Sequence, residues 1–188
     1  RSGTSTMQIG STNTSTINIG VSGDTVNIPS GVTIANAGTA TGFGGANTPA
    51  FLARLSSTTQ SIADDTYTKI QFNTEEYDTA SAYDNSSNYR FTVPSGQGGK
   101  YFIYSAVRMA SSSATLTLNL RLNGSNAGFS STKAVSGELH TITLMFSKSL
   151  SAGDYLEVFL RQQSGGSLNA SGDSNDQTTY FGGFKIIE

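Results

Sequence analysis

Residues able to do chemistry are few in this chain of 188. The single histidine, His140, shares a face with Ile142, Leu144 and Phe146, and no serine or acid is held beside it by a recognisable motif. Burial in a core or an interface is therefore the expectation for it, not a catalytic triad. Asp64-Asp65 and Glu75-Glu76 are adjacent carboxylates, but neighbours on a strand point to opposite faces, which does not suit an acid and a base working on one bond. Asp173, Asn175 and Asp176 form the best local cluster of oxygen ligands; such a set suits calcium rather than zinc, although no DxDxDG spacing occurs. The glycine-rich GFGG and GQGG precede neither a helix nor a Lys-Ser/Thr pair, so a phosphate cradle is not expected. No catalytic residue is expected, and no cofactor beyond a calcium ion at Asp173 and Asp176. An enzyme, a glycan hydrolase, ranks last among the functional classes.

The elements that would position these groups are strands. Leu116, Leu118, Leu120 and Leu122 alternate with Thr115, Thr117, Asn119 and Arg121, giving one dry and one wet face. Further strands are expected at Tyr101–Met109, Leu139–Phe146, Tyr155–Arg161 and Tyr180–Ile187, with turns at 94–99, 123–126 and 151–154. No segment shows helical periodicity with caps, so the fold class is all-β, an antiparallel sandwich. Tyr155 and Phe159 lie opposite Leu156, Val158 and Leu160, and bulk on both faces of a strand points to a subunit interface.

Residues 1–48 follow another pattern and are expected to form a β-repeat stem with a Gly-rich linker, ahead of a head at 49–188. Short apolar–polar–apolar units recur at Met7–Ile9, Ile17–Ile19, Val26–Ile28 and Val32–Ile34, each of the first three followed by Gly or Pro. So few anchors cannot offset the ordering of some thirty residues at roughly 1–2 kcal/mol each, so one copy should not fold alone. Several copies wound together would bury Ile17, Ile19, Val26 and Ile28 between chains. The chain has no cysteine, which excludes disulfides, and its 11 basic and 13 acidic residues are scattered without a run. Nucleic acid is not an expected partner, nor is membrane insertion, since no apolar run approaches the roughly 20 residues a spanning helix needs. The start at Arg1, with no signal-peptide pattern in RSGTSTMQIG, suggests a processed chain or part of a longer one.

From residue 51 onward the chain resembles the C1q/TNF-like jelly-roll head, through FLARLS, YTKIQFN, YDNSSNYRFTVP running into GKYFIYSAV, SAGDYLEVFLRQ and the closing TTYFGGFKII. The resemblance implies a ten-stranded sandwich that trimerises about a threefold axis. No collagen triplet precedes it; the segment before it looks like the repeat stems of phage tail fibres. The combination implies a structural protein at the virion surface, extracellular: a homotrimeric tail fibre or spike whose head binds a host-surface glycan or protein receptor. The alternative is a trimeric capsid decoration or connector that meets other virion proteins. Strand parity places loops near 110–114, 130–138 and 164–178 at the distal end and the tight turns at the proximal one. Asn169, Asp173, Asn175, Asp176 and Gln177 are the candidate receptor-binding residues, because a long polar loop on a rigid scaffold can hydrogen-bond sugar hydroxyls or a protein. The trimer interface is assigned to Ile17, Ile19, Val26, Ile28, Tyr155 and Phe159.

Overall fold

The computed structural model describes residues 9, 16–17, 19–33, 47–56, 58–110, 112–172 and 178–186. The chain divides into two compact units, Arg1–Phe43 and Gly44–Glu188. In the first, turns fall at 22–23 and 30–31, where Gly23 and Gly31 take left-handed backbone that a side chain would strain. Asp24 closes the first turn: its carboxylate accepts from the Val21 N–H at 2.9 Å and its own N–H donates to the Val21 carbonyl at 3.0 Å. Ile17, Ile19, Val26 and Ile28 are all exposed. No strand forms among the described residues of this unit, as a strand needs a partner and a single copy supplies none.

The described residues of the second unit form thirteen strands: β1 (Ala50–Arg54), β2 (Thr59–Ile62), β3 (Thr68–Lys69), β4 (Thr74–Asp78), β5 (Tyr83–Asp84), β6 (Arg90–Thr92), β7 (Gly99–Met109), β8 (Ala114–Leu122), β9 (Ser125–Ala134), β10 (His140–Leu150), β11 (Tyr155–Gln163), β12 (Leu168–Ser171) and β13 (Tyr180–Lys185). They form two antiparallel sheets. The first runs β2-β12-β7-β13-β1-β4 with β10 also on β7; the second runs β5-β6-β11-β8-β9 with β3 on β11. In the second sheet Leu118 and Leu120 of β8 pair with Leu160 and Val158 of β11, and with Leu116 and Leu156 they make one buried layer, as their alternation requires. Phe51 anchors the opposite layer, stacked on Phe91 at 4.4 Å and on Tyr83 at 5.4 Å, with Phe181 edge-on at 5.0 Å. Each fully buried Leu or Phe contributes about 1.5–3 kcal/mol of burial. At the open edge between β9 and β10, the Phe146 ring lies against Gly128, where an added Cβ would come within 3.1 Å of it.

Several elements differ from the sequence expectation. YTKIQFN is not one strand: β3 ends at Lys69, and the Gln60 side chain then replaces the ladder, donating to the Lys69 carbonyl at 2.7 Å and accepting from the Gln71 N–H at 2.9 Å. The loop expected at 130–138 shrinks to 135–139, because Ser130–Ala134 pair with β8. The long loop at 164–178 is interrupted by β12, which pairs with β2 from Leu168 to Ser171. Splitting of this kind yields thirteen short elements instead of ten. The tight turns lie where expected: Asn123 and Gly124 both have positive φ, the conformation a two-residue hairpin with right-handed twist demands.

Candidate functional site

The register brings one apolar row across the outer face of the first sheet. Met145 of β10 lies opposite Tyr104 of β7, Tyr104 opposite Gly182 of β13, Gly182 opposite Leu52 of β1, and Leu52 opposite Tyr77 of β4. Gly182 has a specific role in this row, since a Cβ there would meet the Tyr104 ring at 2.7 Å. Its absence lets the ring lie down on the sheet. Phe102 stands beside the row, 6.1 Å from Tyr104 and 5.7 Å from Phe184, and Tyr180 packs on Tyr104 from the other side at 6.1 Å. The Tyr77 and Tyr104 hydroxyls are 3.5 Å apart. Burial, then the hydrogen bond to Tyr77, pushes the Tyr104 phenol above the usual tyrosine range, so it stays neutral across physiological pH. Met145 at 71% and Tyr77 at 45% remain exposed, as does Phe129 at 64% on the neighbouring β9 edge.

The outer face of the second sheet is dressed differently. Tyr155 and Phe159 project from it half-buried, as their alternation with the buried leucines requires. Arg90 lies 4.4 Å over the Tyr155 ring and Arg121 3.8 Å over Phe159, with Lys69 5.7 Å from the latter. Lys69 also pairs with Glu157, so bulk here is covered by cations and their carboxylates.

Strand ends gather the connections into two groups. The turns at 95–96, 123–124 and 152–153 lie at one end, and the β7–β8, β9–β10 and β11–β12 connections lie at the other, as parity predicts. At the second end Asp64 accepts from the Ser164 and Gly165 N–H groups at 2.9 and 3.0 Å. Asp65 instead pairs with Arg161 and accepts from Gln163. The two carboxylates thus have separate partners, in keeping with a structural role. Gly172 approaches the Ser56 and Thr58 carbonyls too closely for any side chain. Asn169 is exposed on β12, its carbonyl accepting from the Ala110 N–H at 2.9 Å. Asp173, Asn175, Asp176 and Gln177, and with them the proposed calcium ligands, lie outside the described residues. Among the described residues no three His, Cys, Asp or Glu side chains could hold a metal ion.

His140 is half-buried rather than fully enclosed, because it opens β10 at the sheet's end. Its Nε2 lies 2.8 Å from the Val135 N and 3.0 Å from the Val135 O, tying the β9–β10 connection to the strand. Glu75 and Glu76 are both exposed on β4, Glu76 paired with Arg54.

No family model matches the chain, and no curated protein matches it. Solved structures do. Murine APRIL at pH 5.0 superposes with a TM-score of 0.54 at 15% identity, covering 73% of this chain and 99% of that one. Eiger TNF from S. frugiperda gives 0.51 at 15% identity over 73% and 91%. The globular domain of zebrafish complement 1qA gives 0.49 at 19% over 74% and 98%. In its two antiparallel sheets and their strand order, the second unit has the C1q/TNF-type jelly-roll fold.

Proposed function

We propose that the chain is a homotrimeric virion fibre or spike protein, with residues 1–48 as a stem and 49–188 as a head that meets a host-surface receptor. The observation that carries this reading is the row Met145–Tyr104–Gly182–Leu52–Tyr77, an apolar face whose ends, Met145 and Tyr77, no described residue covers. A closed ring of three needs two unlike patches on each copy, one meeting the other on the next. The aromatic row is one patch; the β9–β10 edge with exposed Phe129 is the other. Tyr155 and Phe159, beneath their arginines, offer a smaller apolar area to the same assembly. The exposed Ile17, Ile19, Val26 and Ile28 of the first unit find cover in the same way, between three parallel stems. A rigid trimeric head is suited to adhesion.

Receptor contact falls to the end that carries the β7–β8, β9–β10 and β11–β12 connections, with Asn169, Asp173, Asn175, Asp176 and Gln177 as donors and acceptors. Replacing Asn169, Asp173, Asn175, Asp176 and Gln177 together by Ala, which keeps β12 in place, is the test. Lost attachment to host cells with the trimer intact supports the receptor role. Unchanged attachment overturns it and leaves a connector that meets other virion proteins.

A further inference from the structure

A groove of about 360 Å³ opens beside β5 and β6, lined by no residue of the aromatic row or of the β11–β12 connection. Its volume falls among small-ligand sites, about 300–1,000 Å³. Ala80, Val93 and Pro94 give it an apolar wall, and Ser81, Asp84, Asn88 and Arg90 bring polar groups to it. Asp84 and Arg90 are direct cross-strand partners, a placement in which an ion pair is the ordinary outcome. That pair does not form. One Asp84 oxygen accepts from the Ser86 and Ser87 N–H groups at 3.0 and 2.9 Å, and the other from the Asn88 N–H and side-chain amide at 3.1 and 2.7 Å. With its carboxylate consumed by its own turn, Asp84 leaves Arg90 to stack on Tyr155. Among the described residues the Arg90 guanidinium has no hydrogen-bond acceptor and no ion-pair partner.

A guanidinium over an aromatic ring keeps its N–H groups, and their fork fits a carboxylate. Asp84 lines the same groove, both its oxygens engaged by Ser86, Ser87 and Asn88, so a singly charged carboxylate is repelled less there than a doubly charged phosphate. The apolar wall complements the C–H face of a sugar ring, and Ser81 and Asn88 complement its hydroxyls. We infer that this groove binds a carboxylated sugar of a surface glycan, with Arg90 holding the carboxylate. The inference rests on the receptor-binding reading above and adds a second contact to it. Tyr155 pairs beside the groove with Thr92, whereas Gln163 ends the same strand at the loop end, roughly 26 Å away at ~3.3 Å per residue. Changes in the groove therefore leave the 164–178 segment untouched.

The test is calorimetric titration of the full chain with 3′-sialyllactose, with a glucuronic-acid disaccharide and with neutral lactose. The two acidic probes separate a sialic-acid source from a uronic-acid one. One of them is expected to bind where lactose does not, with Arg90→Gln weakening it by roughly tenfold or more and Arg90→Lys, which keeps charge but loses the fork, by less. Ala80→Trp, at an exposed position that bears on no core residue, is expected to block the groove with the fold intact. Absence of binding by both acidic sugars, equal binding of lactose, or affinity unchanged in both Arg90→Gln and Ala80→Trp overturns the site. Host-cell attachment is scored in parallel. Attachment without acidic-sugar binding overturns the groove and spares the receptor reading, whereas Arg90-dependent sugar binding without attachment does the reverse.

Discussion

Asp84 shows what a single side chain does in this head. Backbone N–H groups of Ser87 and Ser86, followed by the Asn88 amide, hold its carboxyl well below the usual carboxylate range. A lowered folded pKa means that the unfolded chain binds the proton more readily. Its contribution is present above the unfolded value of 3.8 and is lost as pH falls through the folded value. Asp84→Asn, which keeps the shape and removes the charge, is expected to cost about 1 kcal/mol at pH 7. Denaturant unfolding should show that difference shrinking as pH falls below 3.8, and a constant difference would contradict the assignment. At this scale the sequence was partly legible. Alternation set Tyr155 and Phe159 on one face, but the cations over them come from Arg90 and Arg121 on other strands, a pairing that no local pattern reports.

Elements were legible where burial is one-sided. β8 and β11 could be read because Leu and Thr or Arg alternate across a core face and a wet face. The opposite case is β9, whose residues are nearly all partly or fully exposed on a sheet edge, so its SNAGFSSTKA carries no alternation to detect. β12 and β2 are short and polar and exist through pairing with each other, and the break after β3 depends on the Gln60 side chain from another segment. The stem belongs to this scale too. Its Ile and Val units are legible as repeats but have no strand partner among the described residues. Replacing Ile17 and Ile19 by Asp is expected to fray the stem and leave the head folded, read as lost protease protection before residue 44 with unchanged melting of the head. A stem that keeps its protection would show that those side chains face solvent in the assembly.

At the scale of the whole molecule, the jelly roll was legible from the order of its strand motifs, since each strand's core face is set by local alternation. The uncovered face was not. Tyr77, Tyr104, Gly182, Leu52 and Met145 are scattered over five strands, and only the ladder register sets them in one row. An apolar row exposed at both ends, at Met145 and Tyr77, is a liability to a monomer and an asset to a trimer, which ties the fold to the proposed assembly. The most direct measurement is native mass of the full chain at micromolar concentration. The account predicts a species of three times 19.6 kDa, reduced to smaller forms by Tyr104→Asp with the head still folded. A stable, folded monomer of 19.6 kDa would contradict it.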